Sequence, residues 1–546
     1  MFARVKKSGK HQYLQLVENR KEKGKVKQRV IATIGRMDQL EEKGRIETLI
    51  RSLSRFSENA LLILCGKSDV RIDAVHIGPT LIFERLWKQC GIDSCIKELL
   101  AGRKFGFDLE RAVFMSVLHR VMVSGSDRYC DKWRRDYLIS GCEKLELHHL
   151  YRAMSFLGEE LEDQSDATPF TPRRNKDLIE EMLFSNNRNL FSQLDLVFFD
   201  TTSIYFEGHG GEQFGKRGFS KDHRSDLNQM VVGAVLDNNG RPICCEMWPG
   251  NTTDVKALRP AVERIRKRFG IENFCVVADR GMISAATLKD LEGNEIPYIL
   301  GARMRKVKEI RNDVLTRAGR YREVYPESAD RSKPAPLKVK EVLQDGKRYI
   351  VCVNLRQARK DVADRDLIVE SLKQQLKKGA KTLVGNKGYR KYLKIEKDSV
   401  RIDPDKVKAQ AVFDGKWVLI SNTQLTAEQI ALKYKELWRV ERMFRDVKSL
   451  LNTRPVYHQS DANIAGHVFC SFLALVLRKE LDQRLADAGH RFEWQEIKQD
   501  LKALKQVEIE DAGRRFALRS ACKGNCGKIF QAVRVALPPT IRAMEG

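Results

Sequence analysis

Residues 194–207 read LDLVFFDTTSIYFE, an apolar run that leads into an aspartate, two threonines and a serine. The run has high β-propensity and contains neither proline nor glycine, so it predicts a buried strand that ends at Asp200. Burial of the strand would fix its register and direct the carboxylate to one point. On the structural alternative, Asp200 caps the turn after its strand, a position that aspartate favours.

A second stretch repeats this arrangement further along the chain. Residues 274–281 read FCVVADRG, again an apolar run that ends in an aspartate, Asp279, close to a glycine. Either aspartate by itself would suit a structural cap. Because the two stretches share one pattern, the sequence predicts two rigid strands that present two carboxylates.

The chain is strongly basic. Its 546 residues include 99 lysines and arginines against 73 aspartates and glutamates, a formal net charge of +26 at pH 7. This excess is larger than solubility requires and predicts a polyanionic partner. The basic residues are spread over several segments rather than gathered on one amphipathic helix, which favours nucleic acid over a membrane surface.

The sequence also predicts a cytoplasmic protein. No window of about 20 residues is free of charge, and the first residues, MFARVKKSGK, lack the apolar core of a secretory signal. The twelve cysteines are scattered without the spacing of a disulfide framework, as expected for thiols that are kept reduced.

Residues 1–60 are expected to form a basic N-terminal β-hairpin region. Residues 1–36 carry eleven lysines and arginines against two glutamates, and two runs of alternating apolar residues flank a basic turn. Such a ribbon can lie along a DNA groove, so Lys21, Lys23 and Lys25 are predicted to contact DNA. The alternative is a charged edge hairpin that only faces solvent.

Residues 61–190 are expected to form a helical DNA-binding region. Asp108 has the position of an N-cap before a helical run. Arg134 and Arg135 combine positive charge with nearby aromatic surface, which suits phosphate and base contacts, although an ordinary helical bundle explains most of the region. The polar, proline-containing segment 164–176, QSDATPFTPRRNK, is interpreted as a linker.

Residues 191–302 predict an α/β fold. Three sequential antiparallel strands, a helix, a strand, a second helix and a fifth strand form the order of a ribonuclease-H-like core, in which acids on the first and fourth strands lie side by side. Residues 303–424 interrupt this order with charged, strand-like runs and are expected to form a β-rich insertion. Residues 425–485 would complete the core with a helix, and residues 486–546 are expected to form a C-terminal helical region.

A third acid lies in the helical part of the predicted core. Tyr434, Glu441 and Lys448 follow one another at intervals of seven residues. Seven residues are close to two helical turns, with a drift of about 20° per heptad, so the three side chains share one face of the predicted helix. A polar stripe on a helix that must pack on a sheet indicates a functional site.

These residues resemble the DDE transposases of bacterial insertion sequences over about residues 194–481. The residues similar to the catalytic triad and its neighbours are Asp200 with Thr201 and Thr202, Asp279 with Arg280 and Gly281, and Glu441. The stretches FSKDHRSDL (219–227) and PGNTTD (249–254) also resemble family segments near the site.

The segment after residue 425 resembles one group of this family, whose signature is Tyr, two residues, Arg, three residues, Glu, six residues and Lys. Tyr434, Glu441 and Lys448 match the signature, whereas Leu437 stands at the arginine position. The resemblance implies that Tyr434 and Lys448 hold phosphates of a DNA end.

Leu437 leaves the phosphate contact of the signature arginine to another residue. Arg439 and Arg445 are the candidates. Arg445 is preferred because it lies one helical turn beyond Glu441 on the same face, whereas Arg439 lies two residues before it.

The resemblance also implies a metal-dependent reaction on DNA. Two hard cations about 3.5–4 Å apart can activate the attacking oxygen, neutralise charge at phosphorus and stabilise the leaving oxygen. Three carboxylates suit two Mg²⁺ ions, for which Mn²⁺ can substitute; Asp200 would bridge both ions, and Asp279 and Glu441 would each hold one. The implied reaction is hydrolysis that frees a 3′-hydroxyl at each element end, followed by attack of that hydroxyl on target DNA.

The implied partners are double-stranded DNA, both element ends and target, and further copies of the chain in a homodimer or larger oligomer. Two other functions fit the same residues. An inactive or domesticated relative would bind DNA without cutting it. A nuclease with the same core would cut DNA without strand transfer.

Overall fold

The computed structural model describes residues 2–22, 25–42, 45–46, 49, 73–168, 171–186, 196–271, 274–325, 336–378, 387–396, 400–446, 448, 453–511 and 514–544. The chain separates into two compact units. The first consists of Met1–Gly78, Gln499–Gly527 and Ala536–Gly546, and the second of Pro79–Lys498 and Lys528–Val535.

The N-terminal segment forms a three-stranded antiparallel sheet. Its strands are β1 (Phe2–Ser8), β2 (His11–Glu22) and β3 (Lys25–Arg36), and helix α1 (Met37–Glu42) follows. The predicted hairpin corresponds to β2 and β3, and β1 pairs with the other edge of β2.

Strand β4 (Asp73–His76) precedes a helical segment. Its helices are α2 (Gly78–Gln89), α3 (Ile92–Leu99), α4 (Leu109–Met122), α5 (Asp127–Trp133), α6 (Leu147–Leu157) and α7 (Asn175–Asn186). Asp108 is the N-cap of α4, as predicted, because its carboxylate accepts a hydrogen bond from Arg111 N at 3.1 Å.

The interpretation of segment 164–176 as a linker is wrong. Lys176 is buried, and its Nζ lies 2.6 Å from Asp177 Oδ1 and 2.7 Å from Cys245 O. Arg264 also donates to the carbonyl of Asp166 at 2.9 Å. Proline and polar residues favoured a linker, but the charged side chains of this segment are paired inside the second unit.

The second unit is built on a nine-stranded mixed sheet. Its first five strands are β5 (Leu196–Tyr205), β6 (Gln229–Leu236), β7 (Pro242–Pro249), β8 (Cys275–Ala278) and β9 (Tyr298–Gly301), with α8 (Asp254–Phe269) before β8 and α9 (Ala285–Gly293) before β9. These strands lie in the order β7-β6-β5-β8-β9. The three strands β5, β6 and β7 are antiparallel, whereas β5, β8 and β9 are parallel.

One hydrophobic face of this sheet packs against α8. Val197 and Phe199 of β5 belong to the same buried cluster as Leu258 and Ile265 of α8. The alternation along β5 therefore places Asp200 on the opposite face from Phe199. Residues 196–199 of β5 are all buried, as the apolar run predicts, so both faces of the strand are covered there.

Residues 303–424 extend the sheet. The elements are β10 (Arg322–Val324), β11 (Leu337–Gln344), β12 (Lys347–Val353), α10 (Leu355–Lys378), α11 (Lys387–Arg390), β13 (Leu393–Ile395), β14 (Val400–Ile402), α12 (Pro404–Ala411) and β15 (Lys416–Ser421). Strand β15 pairs with β9, and β12, β11 and β10 follow in that order. The sequence predicted strands here but not their partners, and four of them continue the core sheet.

The C-terminal elements are α13 (Ala427–Lys435), α14 (Trp438–Arg445), α15 (Asp461–Asp487), α16 (Trp494–Lys502), β16 (Lys505–Asp511), β17 (Arg514–Arg519), α17 (Cys526–Val533) and β18 (Ile541–Met544). Strands β16–β18 form a four-stranded sheet with β4, so residues 486–546 contain strands as well as the predicted helices. None of the described helices is long and apolar enough to cross a membrane.

Candidate active site

Asp200 and Asp279 lie at the same level of two neighbouring parallel strands. Phe199 of β5 pairs with Ala278 of β8, and each aspartate is the next residue in the sequence. Asp200 remains inside β5, where it pairs with Ala234 of β6, whereas β8 ends at Ala278. The sheet therefore brings together the two acids that the sequence patterns singled out.

The Asp200 carboxyl group holds its proton more tightly than an ordinary aspartate. Burial is the main reason why its pKa is raised from 3.8 to about 6, and the charges of Asp279 and Asp254 add to the rise. The positive charge of Lys221 and a 2.7 Å hydrogen bond from Thr201 N lower it in part. The surrounding carboxylates make this a place where a cation would be stabilised.

Tyr434 connects α13 to the second acid. Its hydroxyl donates a hydrogen bond to Asp279 Oδ1 at 3.0 Å. Gly301 of β9 permits this approach, since a Cβ atom there would overlap the tyrosine hydroxyl. Burial, followed by the charge of Asp279, raises the pKa of Tyr434, and the charge of Glu441 raises it further. Tyr434 is therefore a neutral donor that lies within the field of both acids.

Glu441 and Tyr434 lie on two helices instead of the single predicted helix. Helix α13 ends at Lys435 and α14 begins at Trp438. Between them, Leu437 N donates to Tyr434 O at 3.1 Å and Arg439 N donates to Glu436 O at 2.9 Å, which are tight i to i−3 turns. This tightening changes the helical phase, so heptad spacing alone does not place Glu441, whose side chain is exposed.

A network beside Asp200 involves residues that sequence reasoning did not single out. Lys221 Nζ donates to Thr201 O at 2.7 Å and to Thr201 Oγ1 at 2.9 Å, and it lies 3.2 Å from Asp254 Oδ2. Thr201 Oγ1 in turn donates to Asp254 Oδ1 at 2.5 Å. Lys221 and Asp254 belong to the two stretches that resemble family segments, which was the available signal.

Lys448 shares a buried acid with a second cation. Its Nζ donates to Asp222 Oδ1 at 2.8 Å, and Arg454 Nη1 forms an ion pair with the same oxygen. Burial lowers the pKa of Lys448, the Asp222 carboxylate opposes this change, and the charges of Arg454 and Lys221 favour it. Sequence reasoning predicted a site role for Lys448 but did not identify Arg454 or Asp222.

The two arginines considered as substitutes at Leu437 have different surroundings. Arg439 Nη1 donates to Asn238 O in the turn between β6 and β7, and it lies 3.5 Å from Glu436. Asn238 also bonds to Leu196 N at the start of β5, about 13 Å before Asp200 at the usual strand rise. Arg445 is exposed at the end of α14, where its charge lowers the pKa of Asp446 against the stronger effect of burial.

The other predicted DNA contacts are distributed over both units. Lys21 and Lys25 lie on β2 and β3, and Lys23 lies outside the described residues. Arg134 supports a loop, since it donates to Asp131 Oδ1 at 3.1 Å and to the carbonyl of Cys142 at 2.9 Å. Arg134 and Arg135 lie in a short 3₁₀ helix, Arg134–Asp136, and the side chain of Arg135 is exposed.

Among the described residues, one group of three potential metal ligands has donor atoms that all lie within 4.8 Å of one another. Its members are Asp127, His458 and His467. The three predicted catalytic acids are thus further apart than this. Arg120 Nη2 lies 3.1 Å from Asp127 Oδ1 and 2.9 Å from His467 Nδ1, so a guanidinium already occupies the position of a cation. Burial lowers the pKa of His467 to about 4. The group is a buried ion pair with neutral histidine.

Comparisons with known proteins give two family matches. Residues 192–477, which are 286 of the 546 residues, match the family described as Transposase DDE domain. Residues 3–65 match the family described as IS1634 family transposase, N-terminal domain. No curated protein matches the chain.

The solved structures that resemble the chain include a cryo-EM structure of the piggyBac transposase synaptic complex with hairpin DNA. The identity is 12%, the alignment covers 78% of this chain and 79% of that chain, and the TM-score is 0.35. A TM-score of this size supports no structural conclusion. The family assignment therefore rests on the two sequence matches.

Proposed function

Because the chain belongs to the DDE transposase family of insertion sequences, we propose that Asp200, Asp279 and Glu441 are its catalytic acids. The enzyme of this family cleaves DNA and transfers the cut strand. The observation that carries the residue assignment is the register of β5 and β8, which places Asp200 and Asp279 side by side. Glu441 is proposed as the third acid because it stands at the glutamate of the family signature, seven residues after Tyr434, whose hydroxyl donates to Asp279.

The strand order supports a ribonuclease-H-like core. Three antiparallel strands followed by two parallel ones, in the order β7-β6-β5-β8-β9, are the arrangement expected of that core. Residues 303–424 enter between β9 and the helices that carry Tyr434 and Glu441. In this proposal the segment is an insertion that widens the sheet.

The side chains of the site fit a divalent cation. Asp200 is surrounded by other carboxylates, its pKa is raised mainly by burial, and oxygen ligands of this kind suit hard cations. We propose two Mg²⁺ ions per site, with Mn²⁺ as a substitute, held by Asp200, Asp279 and Glu441. When bound, such ions lower the pKa of water and neutralise the charge that develops at the phosphate.

The remaining residues of the site orient these acids. Tyr434 donates to Asp279 Oδ1 and leaves Oδ2 available as a ligand atom. Lys221 supplies one positive charge beside Asp200 and is itself held by Thr201 and Asp254. Lys448 is proposed to bind a phosphate of the DNA end, since its ammonium group lies in a basic part of the site.

The DNA is proposed to contact several basic segments. A net charge of +26 and the basic N-terminal segment, whose sequence includes Lys21, Lys23 and Lys25, favour a long DNA contact. Arg135 is proposed to contact phosphate, whereas the three side-chain hydrogen bonds of Arg134 give that residue a structural role. A homodimer or larger oligomer on DNA, in the bacterial cytoplasm, would bring two element ends together.

The test of this proposal is strand transfer of a labelled, pre-cut end. The substrate is a duplex taken from the DNA that flanks the coding sequence, and the measured product is its covalent joining to a target plasmid in Mg²⁺. Joined product supports the proposal. Cutting without joining would indicate a nuclease with the same core, and binding without cutting would indicate an inactive DNA-binding relative.

A further inference from the structure

The site lacks the guanidinium that the family signature places four residues before the catalytic glutamate. Leu437 is 5% exposed and has no polar side-chain atom. Arg439 is held at the turn between β6 and β7, beside the start of β5. Neither residue can place a positive charge next to Lys448.

Arg454 lies next to Lys448 because its chain segment pairs with the end of β5. Val456 N donates to Tyr205 O at 3.1 Å, and Glu207 N donates to Val456 O at 2.9 Å. These backbone bonds pair Val456 in parallel with Phe206, the residue that follows the strand of Asp200. The Arg454 guanidinium carbon lies 5.8 Å from the centre of the Tyr205 ring, close enough for a cation–π contact.

Asp222 forms ion pairs with both Lys448 and Arg454. Its Oδ1 accepts from Lys448 at 2.8 Å and forms the ion pair with Arg454, while its side chain is only 8% exposed. Among the described residues, its buried Oδ2 atom has no hydrogen-bond partner. A buried carboxylate oxygen without a hydrogen bond costs free energy, and a role in positioning the two cations explains why it is kept.

The three side chains together carry one excess positive charge. Lys448 and Arg454 contribute two positive charges and Asp222 one negative charge. Arg454 keeps 27% of its side chain exposed, and its contact with Asp222 uses Nη1, one of its donor atoms. A single phosphodiester, which carries one negative charge, is therefore the complementary ligand.

We propose that Arg454 and Lys448 jointly bind one phosphate of the DNA backbone, with Asp222 as the positioning residue, and that Arg454 replaces the signature arginine absent at Leu437. This inference rests on the proposed transposase chemistry. It names a specific residue for the phosphate contact of that site.

The position along β5 indicates which phosphate this is. Lys221, the neighbour of Asp222, donates from its backbone N to Ser203 Oγ at 2.8 Å. Ser203 lies three residues beyond Asp200, about 10 Å at the usual strand rise. A separation of this size suits a phosphate that adjoins the scissile phosphate better than the scissile phosphate itself.

The experiment combines neutral DNA phosphates with protein variants. Element-end duplexes from the flanking DNA carry a single uncharged methylphosphonate at successive positions on either side of the cleavage site. Wild-type protein is expected to cleave one or two of the flanking-phosphate duplexes on the order of 10- to 100-fold more slowly than unmodified DNA. Arg454→Ala is expected to lose a similar factor on unmodified DNA and little more on those duplexes.

Further variants make the result specific. Arg454→Lys keeps the charge and the pairing with Asp222 but loses the planar fork, so it should retain folding and recover only part of the rate. Arg359→Ala removes an exposed arginine from α10 and should keep the full sensitivity to methylphosphonate. Thermal unfolding of each variant is measured in parallel.

Two outcomes would overturn the inference. For each protein, the cleavage rate on the methylphosphonate duplexes is compared with its own rate on unmodified DNA. If this ratio is as low for Arg454→Lys and Arg454→Ala as for wild type, then Arg454 does not contact that phosphate. If Arg445→Ala or Arg439→Ala loses the sensitivity to methylphosphonate instead, the replacement arginine is that residue. Failure of the wild-type protein to cut unmodified DNA would instead contradict the proposed function. This result differs from the two outcomes above, in which the wild-type protein cuts unmodified DNA.

Discussion

Replacement of Asp200 by asparagine is expected to stabilise the metal-free protein at neutral pH. Burial is the main reason why the Asp200 pKa is raised from 3.8 to about 6. An acid whose pKa is raised on folding stabilises the folded state fully below about pH 4 and loses this contribution as pH rises through about 6. The difference of about 2 units corresponds to roughly 3 kcal/mol at most, at 1.36 kcal/mol per unit.

Asparagine keeps the acceptor for the hydrogen bond from Thr201 N but carries no charge. The Tm of Asp200→Asn should therefore exceed that of wild type by a few degrees at pH 7.5, and the difference should shrink as pH falls from 7 to 4.5. Addition of Mg²⁺ should raise the Tm of wild type at pH 7.5 and change that of Asp200→Asn much less. A Tm difference that stays constant with pH would show that Asp200 titrates as an ordinary aspartate.

Three other predictions concern parts of the chain around the site. Tyr434→Phe removes the hydrogen-bond donor to Asp279 and should slow single-turnover cleavage roughly tenfold or more, while DNA binding changes little. A variant that cleaves at the wild-type rate would show that this hydrogen bond does not orient Asp279 for cleavage. Arg268→Met removes one of the three cations of a buried cluster with three carboxylates, which leaves one negative charge uncompensated. It should lower the free energy of unfolding in urea by about 3–5 kcal/mol, against less than about 1 kcal/mol for exposed Arg259→Met. Removal of residues 1–36 should flatten the salt dependence of DNA binding, and an unchanged slope would indicate a solvent-facing sheet.

The sequence could predict the part of the site that depends on strand patterning. The apolar run of β5 predicted a buried strand, and two similar runs ending in aspartate predicted two strands that present two carboxylates. The two strands pair at Phe199 and Ala278, so the aspartates that follow these residues lie side by side. A local signal also placed Asp108 as a helix cap.

The parts that sequence reasoning missed depend on long-range contacts. Helical periodicity assumes regular geometry, so it could not show the tight turns at Leu437 that separate Tyr434 from Glu441. Arg454 is brought to Asp222 by strand pairing between residues about 250 positions apart in sequence, and no local pattern encodes it. Polar composition suggested a linker at residues 164–176 because burial of paired charges is not visible from composition.

The most direct test of the catalytic assignment is metal-dependent cleavage of flanking-DNA duplexes by Asp200→Asn, Asp279→Asn and Glu441→Gln. Each variant is compared with wild type in Mg²⁺ for the rate of strand cleavage and, separately, for the affinity of DNA binding without metal. The three acids are expected to be individually essential, so each variant should bind the duplex nearly as well as wild type and cut it at no detectable rate. Cleavage at the wild-type rate by any one of the three would contradict the assignment of that acid.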